Sequence, residues 1–209
     1  MPIRLSPFEM PKNVQVDEST KTDTYTRFVA EPFEIGYART IGNSLRRVLL
    51  SSIEGAAISS VKIKGVNHEF SCIPGCAEDV TDIILNLKRT LIKTRTRENQ
   101  TFTLKAKGPC EVTAADFAKE NNVEVLNPKQ VICTLDIDGS IEMECEVKTG
   151  RGFCLADANK RPGQEIGRIA IDSIFSPVTR VNFLVENTRV DDRTDYEKLV
   201  LDIWTDGRI

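Results

Sequence analysis

Histidine is the scarcest functional residue in this chain of 209 residues, with His68 as its single copy. A hydrolase that activates its nucleophile through a histidine base would therefore have one candidate here. The setting of His68, VNHEF at a predicted strand end, favours a hydrogen-bonded structural histidine. The residue types thus give no support to a catalytic site.

Long apolar runs are missing as well. No stretch approaches the ~20 apolar residues that cross a bilayer. The first residues, MPIRLSPFEMPKN, contain no apolar core of the kind found in a secretion signal. We therefore expect a cytoplasmic protein that does not contact a membrane.

The motifs of common metal and nucleotide sites are absent from the sequence. Its six cysteines include no C-x2-C pair, and Cys72-x3-Cys76 with His68 upstream lacks a second pair of ligands. No G-x-x-x-x-G-K-[ST] stretch occurs, which excludes a P-loop. We expect reduced structural thiols and no cofactor.

The charge balance does not favour a nucleic-acid-coating surface. The chain has 28 Lys and Arg against 31 Asp and Glu, a net charge of −3, and 40% hydrophobic residues, as in ordinary globular proteins. One modest basic run has no interleaved aromatic residues and is interpreted as a solvated face. It consists of Lys88, Arg89, Lys93, Arg95 and Arg97.

Residues 31–52 carry the clearest helical pattern of the chain. At about 100° per residue, six residues fall on one stripe that predicts a buried face: Tyr37, Ile41, Leu45, Val48, Leu49 and Ser52. Leu50 lies nearly opposite the centre of this stripe, with Arg47 on the flank. Periodicity leaves two interpretations of Leu50 open, a lone exposed leucine or part of a second surface for a partner.

The remaining patterns predict strands and one further helix. TYTRFVAE predicts a strand that ends at Glu31-Pro32, and residues 79–91 predict a helix with Asp82 pointing away from the core. From residue 92, short alternating runs separated by turn dipeptides predict an antiparallel β-rich module. Three acidic residues predict the solvent-facing side of one of its strands: Glu142, Glu144 and Glu146.

The order of these patterns predicts an α+β fold with an insertion. A strand–helix opening and three closing strands bracket the β-rich middle, as when one domain is inserted into another. Between the middle and the close, the polar, glycine-containing residues 149–167 predict a loop that is flexible in part.

Six stretches together resemble one family, the N-terminal domain of the bacterial RNA polymerase alpha subunit. They keep their order and cover nearly the whole chain, which makes the resemblance specific. The stretches are EPFEIGYARTIGNSLRRVLLSSIEGAAI (31–58), GVNHEFSCIPGCAEDVTDIILNLK (65–88), VTAADF (112–117), GRGF (150–153), IGRIAIDSIFSPVTRVNFLVE (166–186) and RTDYEKLVLDIWTDGRI (193–209).

The resemblance implies a non-catalytic subunit of a nucleotidyltransferase complex, DNA-directed RNA polymerase. It implies an α/β dimerisation subdomain built from both chain ends, 1–54 plus 178–209, and an inserted β-rich subdomain, 55–177. Family members form a homodimer in which one protomer binds the β subunit and the other binds β′. The positions that match the family's interfaces are Tyr37 and Ile41 for the dimer, Arg47 and Leu50 for β, and Asp82, Lys88, Ile171, Val178 and Lys198 for β′.

Family members also continue beyond the last residues of this sequence. A long helix completes their dimer interface, and a linker then leads to a small domain that binds promoter DNA. Because the present sequence stops at Ile209, we expect a weakened homodimer and no promoter DNA contact from this chain. The catalytic magnesium and nucleotide site of the family lie in the large subunits, so no catalytic or metal residue is expected in this chain.

Two other functions remain open at this point. A small cytosolic α/β enzyme could use the glycine loop at 150–167, and would then have a deep pocket lined by Arg151, Asp157 and Arg168. A dimeric scaffold unrelated to transcription would instead bind neither large polymerase subunit.

Overall fold

A computed structural model describes residues 8–94, 96–120, 123–161, 163–190 and 193–209. The fold is α+β, as predicted. The chain forms two compact units, of which the first contains the chain up to Ile53 together with Pro177–Gly207 and Ile209. The second contains Glu54–Ser176 and Arg208. The division describes how the chain packs. That residues 1–54 plus 178–209 form a dimerisation subdomain, and residues 55–177 an inserted subdomain, stays a prediction.

Strands outnumber helices along the described residues. In chain order, the elements are β1 (Val14–Val16), β2 (Tyr25–Phe33), α1 (Tyr37–Ser52), β3 (Glu54–Ile63), α2 (Val80–Lys88), β4 (Ile92–Lys93), β5 (Gln100–Lys107), β6 (Cys110–Thr113), α3 (Ala115–Glu120), β7 (Glu124–Val125), β8 (Val131–Leu135), β9 (Ser140–Arg151), β10 (Phe153–Cys154), α4 (Ala156–Asn159), β11 (Arg168–Ala170), β12 (Ser173–Ile174), β13 (Val178–Val190) and β14 (Arg193–Thr205). None of these helices is long and apolar enough to span a membrane.

The first unit is a four-stranded antiparallel sheet that packs against α1. The strands run in the order β1-β2-β14-β13. Two small residues of α1, Ala38 and Gly42, are buried. A Cβ at Gly42 would lie 2.7 Å from the ring of Phe183 and 2.8 Å from Leu199, so only glycine lets the helix approach the sheet this closely.

The sequence predicted that this strand ends at Glu31-Pro32, but β2 continues to Phe33. Proline cannot donate a ladder hydrogen bond, so within a sheet it needs an edge or a bulge. The pairing of β14 with β2 shifts register between the pairs Glu197–Phe33 and Leu199–Ala30. This irregularity spans the proline, and the strand therefore passes through it.

The sheet face opposite α1 carries a hydrogen-bonded carboxylate. Asp202 accepts 2.7 Å bonds from the Tyr25 hydroxyl and from Nε of Arg27, which also donates a second, 3.3 Å bond through Nη2. The Arg27 guanidinium, followed by the Tyr25 bond, holds the pKa of Asp202 below its ordinary value against the opposing effect of burial. Beside this group, Arg180 lies 4.7 Å from the centre of the Trp204 ring.

We expect Asp202→Asn to destabilise the first unit at neutral pH and to have little effect in acid. A carboxyl whose folded pKa is lowered adds stability above its unfolded pKa of about 3.9, and this is lost as the pH falls through the folded value. The stabilities of wild type and variant should therefore converge as the pH falls below the unfolded pKa and through the lowered folded pKa of Asp202. Urea unfolding between pH 2.5 and 7, followed by Trp204 fluorescence, measures this. A difference in unfolding free energy between wild type and variant that does not decrease in acid would contradict this prediction.

The second unit is built on a six-stranded sheet with its core on one side. The order is β5-β9-β3-β4-β7, and β11 also pairs with β3, at Ser60–Lys62. The predicted second helix is present as α2, but it ends at Lys88 and not at Leu91. Four of the five residues predicted to face its core, Val80, Ile83, Ile84 and Leu87, are buried, whereas the fifth, Leu91, lies beyond the helix and is half-buried. Two smaller ribbons, β6–β8 and β10–β12, complete the unit.

The predicted solvent-facing side of β9 is wrong for Glu146. This carboxylate is only 8% exposed, because it pairs with Arg161 and accepts a 3.2 Å bond from Ser60. Glu142 does lie at the surface, where Lys105 and Lys64 approach it at 2.6 and 3.0 Å and lower its pKa. Alternation of polar and apolar residues assigns every charged residue of such a strand to the solvent side. It therefore cannot reveal a charged residue that is buried by pairing with an opposite charge.

The six cysteines are free thiols. Burial raises the pKa of Cys133 and Cys145, which keeps both side chains protonated and unreactive at neutral pH. Within the described ranges, no three His, Cys, Asp or Glu side chains are grouped in a way that could hold a metal ion. His68 is exposed and lies 3.1 Å from the Ser71 hydroxyl, in the irregular segment after β3 and not at a strand end as predicted.

Candidate subunit interfaces

The first candidate surface is an exposed apolar strip on α1. The stripe predicted to be buried is wrong in part, because Leu45 is 40% and Val48 52% exposed. The helix instead turns Ala38 and Gly42 toward the sheet. Since those residues lie on one flank of the predicted stripe, its other flank faces outward. We call Tyr37, Ile41, Leu45 and Val48 the α1 strip.

The two predicted dimer residues lie at the N-terminal end of the α1 strip. Tyr37 and Ile41 are half-buried and pack beside the buried cluster of Ala30, Phe33, Ala38 and Leu199. The ring of Phe8 meets that of Tyr37 edge to face, with centroids 5.0 Å apart. Each of the two predicted residues therefore has an inner part in this core and an outer part that remains accessible.

The two predicted β-contact residues lie in different environments. Arg47 is exposed, whereas Leu50 is half-buried and packs beside Val178, Val181 and Leu201. Leu50 is thus neither a lone exposed leucine nor a side chain wholly available to a partner. Helical periodicity missed this because the buried side of α1 is set by Ala38 and Gly42, on the flank of the predicted stripe that is nearer to Leu50.

Of the predicted β′-contact residues in the second unit, only Asp82 is fully at the surface. Lys88, at the end of α2, is 27% exposed and lies 2.7 Å from Asp172. Ile171 is 1% exposed and belongs to the hydrophobic core. Its side chain can support a contact surface from beneath but does not form one in this structure.

The other two predicted β′-contact residues belong to the first unit. Val178 is 5% exposed and packs in the cluster beside Leu50. Lys198 is partly exposed and lies 2.6 Å from Glu186 on the neighbouring strand. The Glu186 carboxylate raises the pKa of Lys198, which stays charged at neutral pH. A partner at this position would meet an existing ion pair.

The structure does not bring together the residues of the enzyme alternative. A polar recess of about 290 Å³ is lined by Arg168 with Ser60, Glu146 and Arg161, but not by Arg151 or Asp157. Arg151 pairs with Glu54, and Asp157 pairs with Lys160. The charged groups in the recess also pair with one another, as Arg161 does with Glu146. The small-enzyme hypothesis is therefore unsupported.

The sequence reasoning missed two short elements within the predicted loop at 149–167. These are β10 and α4, with Asn159 buried and bonded to Ile171 and Ser173. Phe153 and Leu155 are 58% and 61% exposed. Two large apolar residues in an otherwise polar stretch were the available signal for this surface.

Comparisons with known proteins agree with the resemblance seen in the sequence. A family model described as the RNA polymerase Rpb3/RpoA insert domain matches residues 61–176. The DNA-directed RNA polymerase subunit alpha of Geobacter metallireducens is 52% identical over 199 residues, which are 95% of this chain and 58% of that protein. The subunit of the same name from Desulfitobacterium hafniense is 51% identical over 201 residues, 96% of this chain and 64% of that protein.

The present chain thus spans about three fifths of the length of these relatives. The family model by itself matches more than half of the present chain. The chain therefore belongs to the family of bacterial RNA polymerase alpha subunits and corresponds to their N-terminal domain.

Proposed function

We propose that this chain is a non-catalytic assembly subunit of DNA-directed RNA polymerase, which dimerises and docks the β and β′ subunits. The observation that carries the proposal is the membership of nearly the whole chain in the alpha-subunit family. The exposed side chains on α1 and around α2 add physical support, since an assembly subunit needs accessible contact surfaces. In this role the chain works in the cytoplasm, where bacterial transcription takes place.

The α1 strip is the proposed dimer face. A two-fold dimer buries the same patch on both protomers, so a single apolar strip on one helix can serve both sides. Leu45 and Val48 supply exposed apolar area, while Tyr37 and Ile41 are anchored in the core behind it. This role is consistent with the predicted dimerisation subdomain of 1–54 plus 178–209.

Arg47 is the main proposed contact to β. Arginine and apolar side chains are favoured at the centres of protein interfaces. Arg47 is exposed, and Leu50 lies one turn further along the same helix. Because Leu50 also packs against the sheet, its removal would disturb the fold together with any contact. A test of the β contact should therefore rest on Arg47.

The proposed β′ contact combines accessible and supporting residues. Asp82, Lys88 and Lys198 have accessible charged groups, whereas Ile171 and Val178 lie buried beneath the surface. We infer that the buried pair acts by shaping the backbone around it. The charged groups belong to the rim of an interface, where single ion pairs contribute little.

We expect Arg47→Ala to weaken association with the β subunit at least about tenfold, with no change in folding. The side chain is exposed, so its truncation removes a contact without opening a cavity. Quantitative co-purification of the full chain with co-expressed β and β′ measures the effect.

Arg39→Ala is the matched control for this experiment. Arg39 is another exposed arginine of α1, eight residues earlier in the chain. Equal recovery of β with wild type, Arg39→Ala and Arg47→Ala would rule out the proposed contact. If the folded wild-type chain recovered neither large subunit, the assembly function itself would be wrong.

A further inference from the structure

The β10–β12 ribbon has two faces of opposite character. Phe153 pairs with Ile174, and Cys154 pairs with Ser173. Cross-strand partners share a face and successive residues alternate, so Phe153, Leu155 and Ile174 point to the same side. They are 58%, 61% and 55% exposed, whereas Ser173 on the other side is 1% exposed. We call Phe153, Leu155 and Ile174 the apolar trio.

Buried polar bonds fix the inner face of this ribbon. The Ser173 hydroxyl donates to the carbonyl of Ile58 at 2.9 Å. The Asn159 amide donates to the carbonyl of Ile171 at 2.8 Å and to the Ser173 hydroxyl at 3.0 Å. Buried groups with satisfied hydrogen bonds are costly to displace. The apolar trio is therefore held on a rigid support, although it lies next to a short helix and polar turns.

Lys88 and Asp172 fix the outer edge of the same ribbon. Leu155 follows Cys154 and Asp172 precedes Ser173, so both lie next to the last pair of the ribbon. The Asp172 carboxylate accepts a 2.8 Å bond from the Ala156 N–H and lies 2.7 Å from the Lys88 ammonium. Lys88, followed by the Ala156 N–H, lowers the pKa of Asp172, which is consequently charged at neutral pH. The ion pair thus links the end of α2 to the backbone next to Leu155.

Exposed apolar clusters with a charged rim are typical of interaction surfaces. The apolar trio adjoins two residues of the proposed β′ contact, because Lys88 bonds to Asp172 and Ile171 precedes Asp172 in the chain. We propose that the apolar trio docks onto the β′ subunit and that Lys88 and Asp172 form a positioning pair that holds it in place. This inference rests on the proposed function and gives the β′ contact in the second unit an apolar centre.

The first test replaces the exposed side chains of the apolar trio. In co-expression with β and β′, the double variant F153S/L155S should recover at least about tenfold less β′ per bound β than wild type. Ile137→Ser is the matched control, since Ile137 is a 74% exposed apolar residue at another turn of this unit. Thermal unfolding of the isolated variants confirms that both retain the fold.

The outcomes separate this inference from the proposed function. Normal recovery of β′ with F153S/L155S would overturn the docking role of the apolar trio and leave the assembly function intact. Loss of β and β′ together would place the trio on β and would also overturn the assignment to β′. Recovery of neither large subunit with folded wild type would remove the proposed function, and this inference with it.

The second test addresses the positioning pair. In the isolated chain, Lys88→Met should make amide hydrogen exchange at Ala156 severalfold faster, and it should lower β′ recovery in the complex. Lys88→Arg retains a cation for Asp172 and should restore both. In the L155S background, Lys88→Met should add little further loss, since both changes act on the same contact. Loss of β′ with unchanged exchange at Ala156 would show that Lys88 acts only through its own contact at the rim, and would overturn its positioning role.

Discussion

Gly139→Ala is expected to lower the free energy of unfolding of the second unit by about 3 kcal/mol or more. A Cβ at Gly139 would overlap the carbonyl oxygen of Gly75 and lie 3.0 Å from its carbonyl carbon. That oxygen already accepts a 2.9 Å bond from the Asp136 N–H, and the Gly139 carbonyl accepts a 2.8 Å bond from Gly108. Backbone atoms on both sides leave no flexible side chain that could move away.

Gly65→Ala separates this steric effect from the general cost of replacing a glycine. Gly65 has a φ of +84° and no atom within 4 Å of an added Cβ, so alanine there costs about 1 kcal/mol of backbone strain. Amide hydrogen exchange at the buried strand residues Met143 and Val147 reports the stability of the second unit. A similar loss of unfolding free energy in the two variants would show that the backbone at Gly75 and Gly139 can move apart at little cost.

The contrast between the two helices shows what periodicity can predict. In α2, large apolar residues face the sheet, so the predicted stripe and the buried face coincide. In α1, the closest approach to the sheet is made by Ala38 and Gly42, which add little to an apolar pattern. The pattern therefore predicted the existence of both helices but the orientation of only one.

The remaining errors involve partners that are distant in the sequence. The passage of β2 through Pro32 depends on a register shift in β14, more than 160 residues later. The burial of Glu146 depends on Arg161 from a stretch predicted to be loop. Local propensity contains no information about such pairings, whereas the predicted α+β class depends on local patterns and was right.

The candidate interface residues came from the resemblance, and the structure adds physical distinctions among them. Ile171 and Val178 are buried, Lys88 and Lys198 are paired, and Asp82 and Arg47 are exposed. A matching residue type therefore does not reveal whether a side chain touches a partner or supports a neighbour that does. The apolar trio had no counterpart among the predicted sites, because its alignment on one face follows from strand pairing.

Val48→Glu is expected to weaken dimerisation of this chain about 100-fold or more. In a two-fold dimer each substitution is present twice at one interface, so a roughly tenfold loss per copy multiplies to this value. In the dimer, the introduced carboxylate would be buried against an apolar partner surface without a cation, which is costly. In the isolated chain, position 48 is exposed, since Val48 has 52% of its surface accessible, so the carboxylate remains hydrated. Folding of the protomer should therefore be unchanged, and Trp204 fluorescence during unfolding checks this.

Val14→Glu is the matched control for the dimer face. Val14 is 63% exposed on β1, in the same unit but outside α1. Sedimentation velocity across a concentration series should show a dimer for wild type and Val14→Glu, and a monomer for Val48→Glu over the range in which wild type associates. A wild-type chain that stays monomeric throughout, or a Val48→Glu variant that associates like wild type, would show that the α1 strip alone does not form the dimer. Since Leu45 lies on the same strip, Leu45→Glu must behave as Val48→Glu does, and a difference between them would locate the edge of the interface between these two residues.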